Sequence, residues 1–371
     1  MYIYQNVDWP NFTWDNDRLL STLSKVRNLQ GRIIGKMESI GFNLRNEAIL
    51  ETLTLDVIKS TEIEGEILNP DQVRSSIAKR LGLDIGAHDN SDRNIDGIVD
   101  LIMDATKNCN KPISADRLFG WHAALFPAGR SGLYKITVGS WRIDSTGPMQ
   151  VVSGAMGKEK VHYQAPDSSV ILTEMDQFMD WINSKTDLEP VIKAAVAHLW
   201  FVTLHPFDDG NGRIGRALTD LLLARADGST QRFYSMSSQI RKERKTYYEI
   251  LESTQKGGLD ITNWLSWFLN CLMDALISSD TILSKVFFKA NFWEQHSTIT
   301  LNERQRLMIN KMLVGFDGKL TSSKWAKITK CSQDTALRDI QDLMTKMILQ
   351  KETSGGRSTN YELIELKKPC C

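Results

Sequence analysis

Two apolar helical runs are joined by the polar segment HPFDDGNG, residues 205–212, and this junction constrains the fold more than any other part of the chain. The first run begins at Pro190, because proline suits the first position of a helix, and it ends before Pro206, which cannot continue the hydrogen-bonded ladder. A second helix begins near Gly212 and stops at Gly228, a glycine suited to a helix terminus. The segment is therefore predicted to be a loop that leads into a helix N-terminus.

The chemistry of this loop favours an anion. The first amides of a helix lack internal partners and the helix dipole is positive there. Gly210 and Gly212 let the backbone approach an oxygen closely, and successive N–H groups can form a nest for phosphate. Arg213 and Arg216 lie three residues apart, share one face of the second helix and can both reach phosphate oxygens. The sequence thus predicts a phosphate-binding loop.

Three other side chains complete the predicted site. Asp209 is a hard oxygen ligand that suits Mg²⁺ bridging phosphates. His205 ends the first helix, and the ordinary pKa of histidine suits removal of a proton. Phe207 is predicted to be buried and to anchor the loop. These parts fit phosphoryl or nucleotidyl transfer, which needs charge neutralisation, alignment and one base.

Other interpretations of the same residues are weaker. GNGRIG, residues 210–215, matches the glycine pattern of dinucleotide sites, but a helix rather than a strand precedes it. His198 and His205 are seven residues apart without a third histidine at suitable spacing, so His198 is predicted to pack in its helix rather than to bind metal. A simple inter-helix loop would explain the glycines but not the convergence of histidine, acid and two arginines.

The segment HPFDDGNGRIGR resembles the signature HxFx(D/E)GNGRxxR of the Fic family at every specified position. Features similar to the family extend over roughly residues 1–290, and a hairpin expected at 138–152 looks like the family's flap. The resemblance implies a mainly α-helical Fic-type core with this β-hairpin. It also implies a nucleotidyltransferase that moves AMP from ATP to a Ser, Thr or Tyr hydroxyl of a target protein docked along the hairpin.

The resemblance also implies a role for each motif residue. His205 would take the proton of the attacking hydroxyl, and Asp209 would hold Mg²⁺ on the α- and β-phosphates. The other motif residues would hold the triphosphate: Gly210, Asn211, Gly212, Arg213 and Arg216. Adenine would bind beyond the motif helix, where Tyr248 is a candidate contact, although aromatic residues at such positions more often belong to a core.

The segment STEIEG, residues 60–65, resembles the family's inhibitory pattern (S/T)xxxE(G/N). Glu64 would pair with Arg216 and block productive placement of the γ-phosphate, since an arginine paired to a carboxylate is not available to phosphate. Two alternatives stay open at this point. Glu64 is also one of three acidic residues in a short surface cluster, with Glu62 and Glu66, and in some relatives it would instead position a water that removes AMP.

Changes in the sequence pattern divide the chain into three predicted domains. These are an N-terminal helical domain with the inhibitory motif at 1–90, the Fic core at 91–290 and a winged helix-turn-helix at 295–371. A polar stretch at 84–94 forms the first linker. In the last domain, helix 333–347 is expected to face the core with its apolar positions: Ala336, Leu337, Ile340, Leu343 and Met347.

The role of the winged helix stays open between DNA binding and protein docking or dimerisation. Arg338, Lys346 and the wing residue Arg357 could meet phosphates, but Asp334, Asp339 and Asp342 on the same helix dilute their charge. Docking, including a homodimer, is therefore favoured over DNA. A transcription regulator whose Fic core has lost its activity, or carries a different group transfer, is the alternative for the whole chain.

Composition sets outer limits on function. The formal net charge is zero, so no global field attracts nucleic acid or an anionic membrane. Five scattered cysteines without a CxxC pair favour a reducing compartment. No secretory signal or membrane-spanning run is evident, and the chain is expected to be cytoplasmic.

Overall fold

The computed structural model describes residues 1–38, 42–83, 92–144, 147–154, 158, 160–314, 318–352 and 359–364. These residues are mainly α-helical, as predicted. The chain divides into two compact units, Met1–Asp280 and Thr281–Cys371. The predicted segments 1–90 and 91–290 therefore lie within one unit up to Asp280, and residues 84–91 of the predicted linker lie outside the described residues.

Among the described residues, the first unit is built from helices with two short antiparallel strand pairs between them. Its helices are α1 (Asn16–Glu38), α2 (Phe42–Ile63), α3 (Pro70–Leu81), α4 (Arg93–Lys107), α5 (Ala115–Leu125), α6 (Ser168–Asn183), α7 (Pro190–Leu204), α8 (Asn211–Asp227), α9 (Met236–Lys242) and α10 (Arg244–Gln255). Helix α11 (Thr262–Gln295) continues past the end of the unit. Its strands are β1 (Arg130–Ser131), β2 (Tyr134–Lys135), β3 (Gln150–Ser153) and β4 (Lys160–Gln164).

Local capping chemistry sets several of these helix ends. The sequence offers Asn69 or Asp71 as the cap of α3, and the structure uses Asn69. Its side-chain oxygen accepts hydrogen bonds from the amides of Asp71 at 2.9 Å and Gln72 at 3.2 Å. Pro190 occupies the first turn of α7, where Glu189 caps the amide of Val191 at 2.7 Å. Such contacts satisfy amides that have no partner inside the helix.

Helix α7 forms the centre of the core. Every residue from Val191 to Leu204 is buried, because the helix is apolar on all sides rather than along one stripe. It packs along α8, which also contacts α4. The end of α7 and the start of α8 are consequently fixed by a large apolar contact, and the loop between them is held on a rigid base.

The predicted hairpin at 138–152 is wrong. Strand β3 (Gln150–Ser153) pairs instead with β4 (Lys160–Gln164), in antiparallel register. The segment 138–144 forms no strand because Arg142 ties it to the loop: its amide donates to Pro206 O at 2.9 Å, and its buried guanidinium donates to His205 O at 2.8 Å. Positions 145 and 146 of the predicted turn lie outside the described residues.

Helical periodicity in the sequence predicts one helix at 241–255 and another at 260–279, and the structure differs at both. The first is divided at Glu243 into α9 and α10, and α9 begins earlier because Ser235 caps it. The second continues to Gln295 in α11.

The C-terminal unit has the predicted helix–helix–hairpin order. After α12 (Glu303–Val314) come α13 (Ser322–Thr329), α14 (Gln333–Thr345) and the antiparallel pair β5 (Leu349–Lys351) and β6 (Tyr361–Leu363). Its core is formed by side chains that include Trp325, Ala336, Ile340 and Leu343. The predicted wing residue Arg357 lies outside the described residues.

Two predicted core residues of this unit are exposed. Leu337 is 40% exposed, since it lies one position off the buried stripe of Ala336, Ile340 and Leu343. Met347 is 70% exposed and lies beyond the end of α14, where its φ of 56° turns the chain. Asp339 is buried rather than on the helix surface, and Arg304 Nε donates to it at 2.7 Å.

Among the described residues, no helix combines the length and the apolar character that crossing a bilayer requires.

The packing of α4 on α5 predicts that alanine at Gly97 destabilises the fold and that alanine at Gly120 does not. A Cβ at Gly97 would overlap the carbonyl oxygen of Ala124, whereas nothing lies within 4 Å of a Cβ at Gly120. Gly97→Ala should lower the free energy of unfolding by about 1–3 kcal/mol. Gly120→Ala, in an exposed helical position, should leave it unchanged or raise it by up to about 1 kcal/mol. Urea denaturation of both variants tests this, and equal stabilities would contradict it.

Candidate active site

The loop between α7 and α8 is rigid. Phe207 is completely buried, as predicted, and stacks on His122 with ring centroids 4.2 Å apart. Asn211 closes the loop, because its Oδ1 accepts from the amide of Phe207 at 3.0 Å and its Nδ2 donates to the carbonyl of Phe207 at 2.8 Å. Gly210 has a φ of 81°, in the left-handed region that glycine adopts without strain.

The side chain of Asn211, which was predicted to hold phosphate, makes its hydrogen bonds within the loop. The side chain is 2% exposed, and its oxygen and one amide hydrogen are used within the loop. In this structure Asn211 shapes the loop, and the contact with phosphate expected from the family resemblance stays a prediction.

His205 is positioned as a base. It ends α7 in a left-handed conformation, φ 49° and ψ 56°, and its ring is half-buried. Its Nδ1 lies 3.3 Å from Val202 O. Because a carbonyl only accepts hydrogen bonds, Nδ1 carries the proton and Nε2 keeps its lone pair. Burial lowers the pKa of His205 to about 4, so the imidazole is neutral at pH 7.

Asp209 suits a magnesium ion held partly by substrate. Its Oδ1 accepts from the amide of Gly210 at 2.5 Å, its Oδ2 accepts from the hydroxyl of Ser131, and the side chain is 42% exposed. Among the described residues, no three His, Cys, Asp or Glu side chains form a metal cluster. Mg²⁺ is commonly held by one or two carboxylates plus phosphates and waters, and the partly exposed carboxylate of Asp209 fits that pattern.

Arg216 is the most constrained residue of the site. It is 3% exposed, and its Nη2 lies 2.7 Å from Glu64 Oε1, which confirms the predicted ion pair. Ser60 completes the contact: Nε of Arg216 donates to its hydroxyl at 3.0 Å and Nη2 donates to its carbonyl at 2.8 Å. Ser60 and Glu64 of the STEIEG segment thus bind one guanidinium.

Arg213 is buried but loosely held. It is 6% exposed, lies 5.1 Å from the ring of Phe126, and is 3.5 Å from Glu66 Oε1 and 4.0 Å from Asp209 Oδ1. Its Nε, like Nη1 of Arg216, is a buried donor without a hydrogen-bond partner among the described residues. Unpaired buried donors are costly, roughly 1–3 kcal/mol each, so both arginines are suited to an oxygen-rich ligand.

Glu64 occupies the position that an anion would take. A Cβ added at Gly212, in the first turn of α8, would overlap its carboxylate. The carboxylate therefore lies directly against the helix N-terminus, where the dipole and free amides favour negative charge. Gly212 is required here for the close approach of an oxygen, as the sequence predicts, and in this structure the oxygen belongs to Glu64.

The two tyrosines of α10, Tyr247 and Tyr248, have different surroundings. Tyr247 is buried, and its hydroxyl lies 2.9 Å from Nε2 of His198, which is itself packed in the core as predicted. Tyr248 is half-buried beneath the guanidinium of Arg244, 5.0 Å from its ring. Its contact with adenine stays a prediction. Gln255 lies about two turns after Tyr248 on the same face of α10. It is buried and donates to Thr203 Oγ1 at 3.3 Å.

Two residues that support the site were missed in the sequence. His122 accepts from the amide of Gly139 through Nδ1 at 3.3 Å, so its Nε2 donates to the carbonyl of Asp209 at 3.2 Å. Burial lowers the pKa of His122 to about 4. Arg142 holds the carbonyl of His205. Both lie more than 60 residues from the loop along the chain, and no local pattern marks them.

Comparison with known proteins agrees with this site. Residues 112–223 match the Fic/DOC family, and residues 2–83 match a domain of unknown function, DUF4172. Residues 112–223 therefore form a Fic domain, which includes α5, α7 and the loop that leads into α8.

Particular relatives carry a functional name. The chain is 37% identical over 99 residues to the protein adenylyltransferase Fic of Drosophila willistoni, which covers 26% of this chain and 18% of that protein. It is 35% identical over 114 residues to the protein adenylyltransferase Fic of Nematostella vectensis, covering 29% of this chain and 25% of that protein. The chain thus spans a quarter or less of the length of these curated relatives.

A solved structure shares the fold. The crystal structure of a Fic family protein from Desulfovibrio desulfuricans aligns with a TM-score of 0.53 at 18% identity, covering 95% of this chain and 97% of that chain. At this identity the likeness concerns the fold alone.

The buried histidines predict a defined acid titration. His122 and His205 should titrate near pH 4 and His198 near pH 3, because burial disfavours their charged forms. The unfolded chain binds these protons near pH 6.5, so the free energy of unfolding should fall as pH drops from about 6.5 to 4, by up to about 1.4 kcal/mol per pH unit for each histidine. NMR titration of the ring protons tests this, with urea-unfolded protein as the control. A value near 6.5 for His205 in the folded protein would contradict it.

Proposed function

We propose that the chain is a protein adenylyltransferase that transfers AMP from ATP to a Ser, Thr or Tyr hydroxyl of a target protein. One arrangement supports this proposal. A neutral imidazole whose Nε2 keeps its lone pair lies at the start of a loop that ends at a helix N-terminus. Beside it lie two buried arginines, each with one nitrogen that lacks a hydrogen-bond partner among the described residues. The names of the relatives over this same region give it further support.

Each step of the proposed reaction falls to a particular group. Nε2 of His205 takes the proton of the target hydroxyl, and the freed oxygen attacks the α-phosphorus of ATP. The bond from that phosphorus to the bridging oxygen breaks, and pyrophosphate leaves. The amides at Gly210 and Gly212 and the guanidinium of Arg213 hold the phosphate oxygens during this change.

Mg²⁺ would bind at Asp209 and would neutralise phosphate charge when present. The Asp209 carboxylate is oriented from two sides, by Ser131 and by the amide of Gly210, and its backbone carbonyl is fixed by His122. These contacts hold an oxygen ligand in one direction while leaving it exposed to a substrate.

We further propose that Glu64 holds this site in an inhibited state. Its carboxylate lies at the N-terminus of α8 and occupies the guanidinium of Arg216, which the γ-phosphate would need. A charged hydrogen bond of this kind is worth about 1.5–3 kcal/mol, enough to compete with a phosphate contact. ATP then binds without its productive phosphate arrangement.

The target segment is proposed to add as a strand to β3. This strand pairs with β4 on one side, and among the described strands no other partner covers its second edge. Pairing through the main chain tolerates many target sequences. The corrected hairpin, β3 with β4, takes the docking role that the sequence assigned to 138–152.

Removing the Glu64 carboxylate should activate the enzyme. We expect Glu64→Gly to raise AMP transfer by about tenfold or more, the equivalent of about 1.4 kcal/mol, because Arg216 becomes available to phosphate. Intact-mass spectrometry after incubation with ATP and Mg²⁺ measures the gain of AMP units on the protein itself or on added lysate proteins. His205→Ala in the same background should abolish the gain.

Glu62→Gly is the matched control. Glu62 lies on the same turn but pairs with Lys59 at 2.8 Å and Arg241 at 3.4 Å rather than with Arg216, so its loss should leave the rate unchanged. Equal activation by both glycine variants would indicate loosening of the segment and would argue against a specific inhibitory contact. A mass gain equal to phosphate rather than AMP would replace adenylyl transfer by phosphoryl transfer.

A further inference from the structure

The backbone of His205 has a conformation that is unfavourable for a histidine before a proline. Its φ of 49° and ψ of 56° lie in the left-handed region, and Pro206 follows it. Such a conformation costs a residue other than glycine roughly 1–3 kcal/mol, and a residue before proline favours an extended backbone. Contacts from elsewhere in the fold are therefore needed to keep His205 in place.

Arg142 supplies two of these contacts. Its Nε donates to His205 O at 2.8 Å, and its amide donates to Pro206 O at 2.9 Å. Its side chain is fully buried, so water does not compete for the guanidinium. Rotation of His205 toward an extended backbone would turn its carbonyl away from Nε and break this bond. One residue thus fixes two consecutive carbonyls at the strained position.

The rest of the guanidinium binds both chain segments from which the β3–β4 hairpin extends. Nη1 donates to Asp144 Oδ1, before β3, and Nη2 donates to Pro166 O, after β4. Asp144 is itself held in place, because its Oδ2 accepts from the amide of Ser168 at 2.9 Å. One planar group therefore joins the carbonyl of His205 to both ends of the hairpin.

The hairpin also contacts the end of α7 directly. The hydroxyl of Tyr163, in β4, donates to Thr203 O at 2.8 Å, two residues before His205. Tyr163 is buried. The hairpin and the candidate base are thus connected at two neighbouring points.

The contacts of Arg142 depend on the planar shape of its side chain. Its three guanidinium nitrogens donate to acceptors on three different segments. The contact with Asp144 balances the charge, and the other two reach neutral carbonyls, so they fix position rather than charge. A lysine ammonium is a compact point charge on a flexible stem and cannot reproduce this fork.

We propose that Arg142 is a positioning residue for His205 and fixes the imidazole relative to the β3–β4 hairpin. It keeps the histidine backbone left-handed and holds the base beside the strand where a target hydroxyl would dock. Because proton transfer requires the two groups to meet at hydrogen-bond distance, a small displacement of the ring lowers the rate. The effect on catalysis rests on the proposed adenylyl transfer, whereas the effect on the backbone rests on the contacts themselves.

Arg142→Lys tests this role, because it keeps the positive charge and loses the fork. In the Glu64→Gly background, the rate of AMP transfer at saturating ATP should fall by about tenfold to a hundredfold, since a displacement of about 1 Å can have an effect of that size. KM for ATP should stay unchanged, because the described hydrogen bonds of Arg142 do not involve α8. A lower kcat with an unchanged KM indicates an interaction that matters only in the transition state.

Arg117→Lys is the matched control. Arg117 also binds a carboxylate and a backbone carbonyl, those of Asp104 and Lys111, rather than the loop. Its replacement should leave the rate of AMP transfer unchanged. An equal loss of rate in the two lysine variants would indicate a general loosening of the fold and would overturn the proposal.

The backbone of His205 gives a readout that does not depend on catalysis. Left-handed and extended residues differ in their Cα chemical shift, and ¹³C-labelled histidine makes this signal visible by NMR. His205→Ala, which lacks the signal, assigns it. The signal should move toward the extended value in Arg142→Lys and stay in place in Arg117→Lys. An unmoved signal in folded Arg142→Lys would overturn the proposal.

Asp144→Ala provides a second variant if Arg142→Lys does not fold. The guanidinium remains but loses the carboxylate that orients Nη1, so the Cα signal of His205 should move in the same direction and the rate should fall. An unmoved signal would again overturn the proposal. If Glu64→Gly transfers no AMP while the Cα signal moves as expected, the proposed function fails and the positioning of His205 by Arg142 stands.

Discussion

A buried guanidinium is the constraint on which the site depends. Arg216 is 3% exposed on a helix whose neighbours are apolar, and an arginine in such a place needs a partner because it does not lose its charge. In this structure the partner is Glu64, from a segment more than 150 residues earlier in the chain. The same requirement suits the site to a polyphosphate, so the proposed inhibition and the proposed binding of ATP depend on the same buried charge.

The fold serves this arrangement by fixing two helix ends. Helix α7 is buried on all sides and delivers His205 at its C-terminus, while α8 offers its N-terminus and both arginines. Phe207, Asn211 and Arg142 then fix the short loop between them. The candidate catalytic groups thus lie at the ends of two packed helices, and α2 meets them through the polar contact of Ser60 and Glu64 with Arg216.

Local chemistry explains what the sequence could predict. Proline, glycine and asparagine signals placed the ends of α3, α7 and α8, because capping depends on a few neighbouring residues. The hairpin prediction failed because the partner of Arg142 lies 63 residues away, and a β-prone run carries no sign of such a partner. His122 was missed for the same reason. The ion pair of Glu64 was expected only through the family resemblance.

The central claim is that Glu64 withholds Arg216 from the terminal phosphate. Isothermal titration of ATP and of AMP into wild type and Glu64→Gln tests it most directly, since AMP lacks the phosphates that Arg216 would meet. The account predicts that Glu64→Gln tightens ATP by about tenfold and leaves AMP unchanged. Equal changes for both nucleotides, or none for ATP, would contradict it.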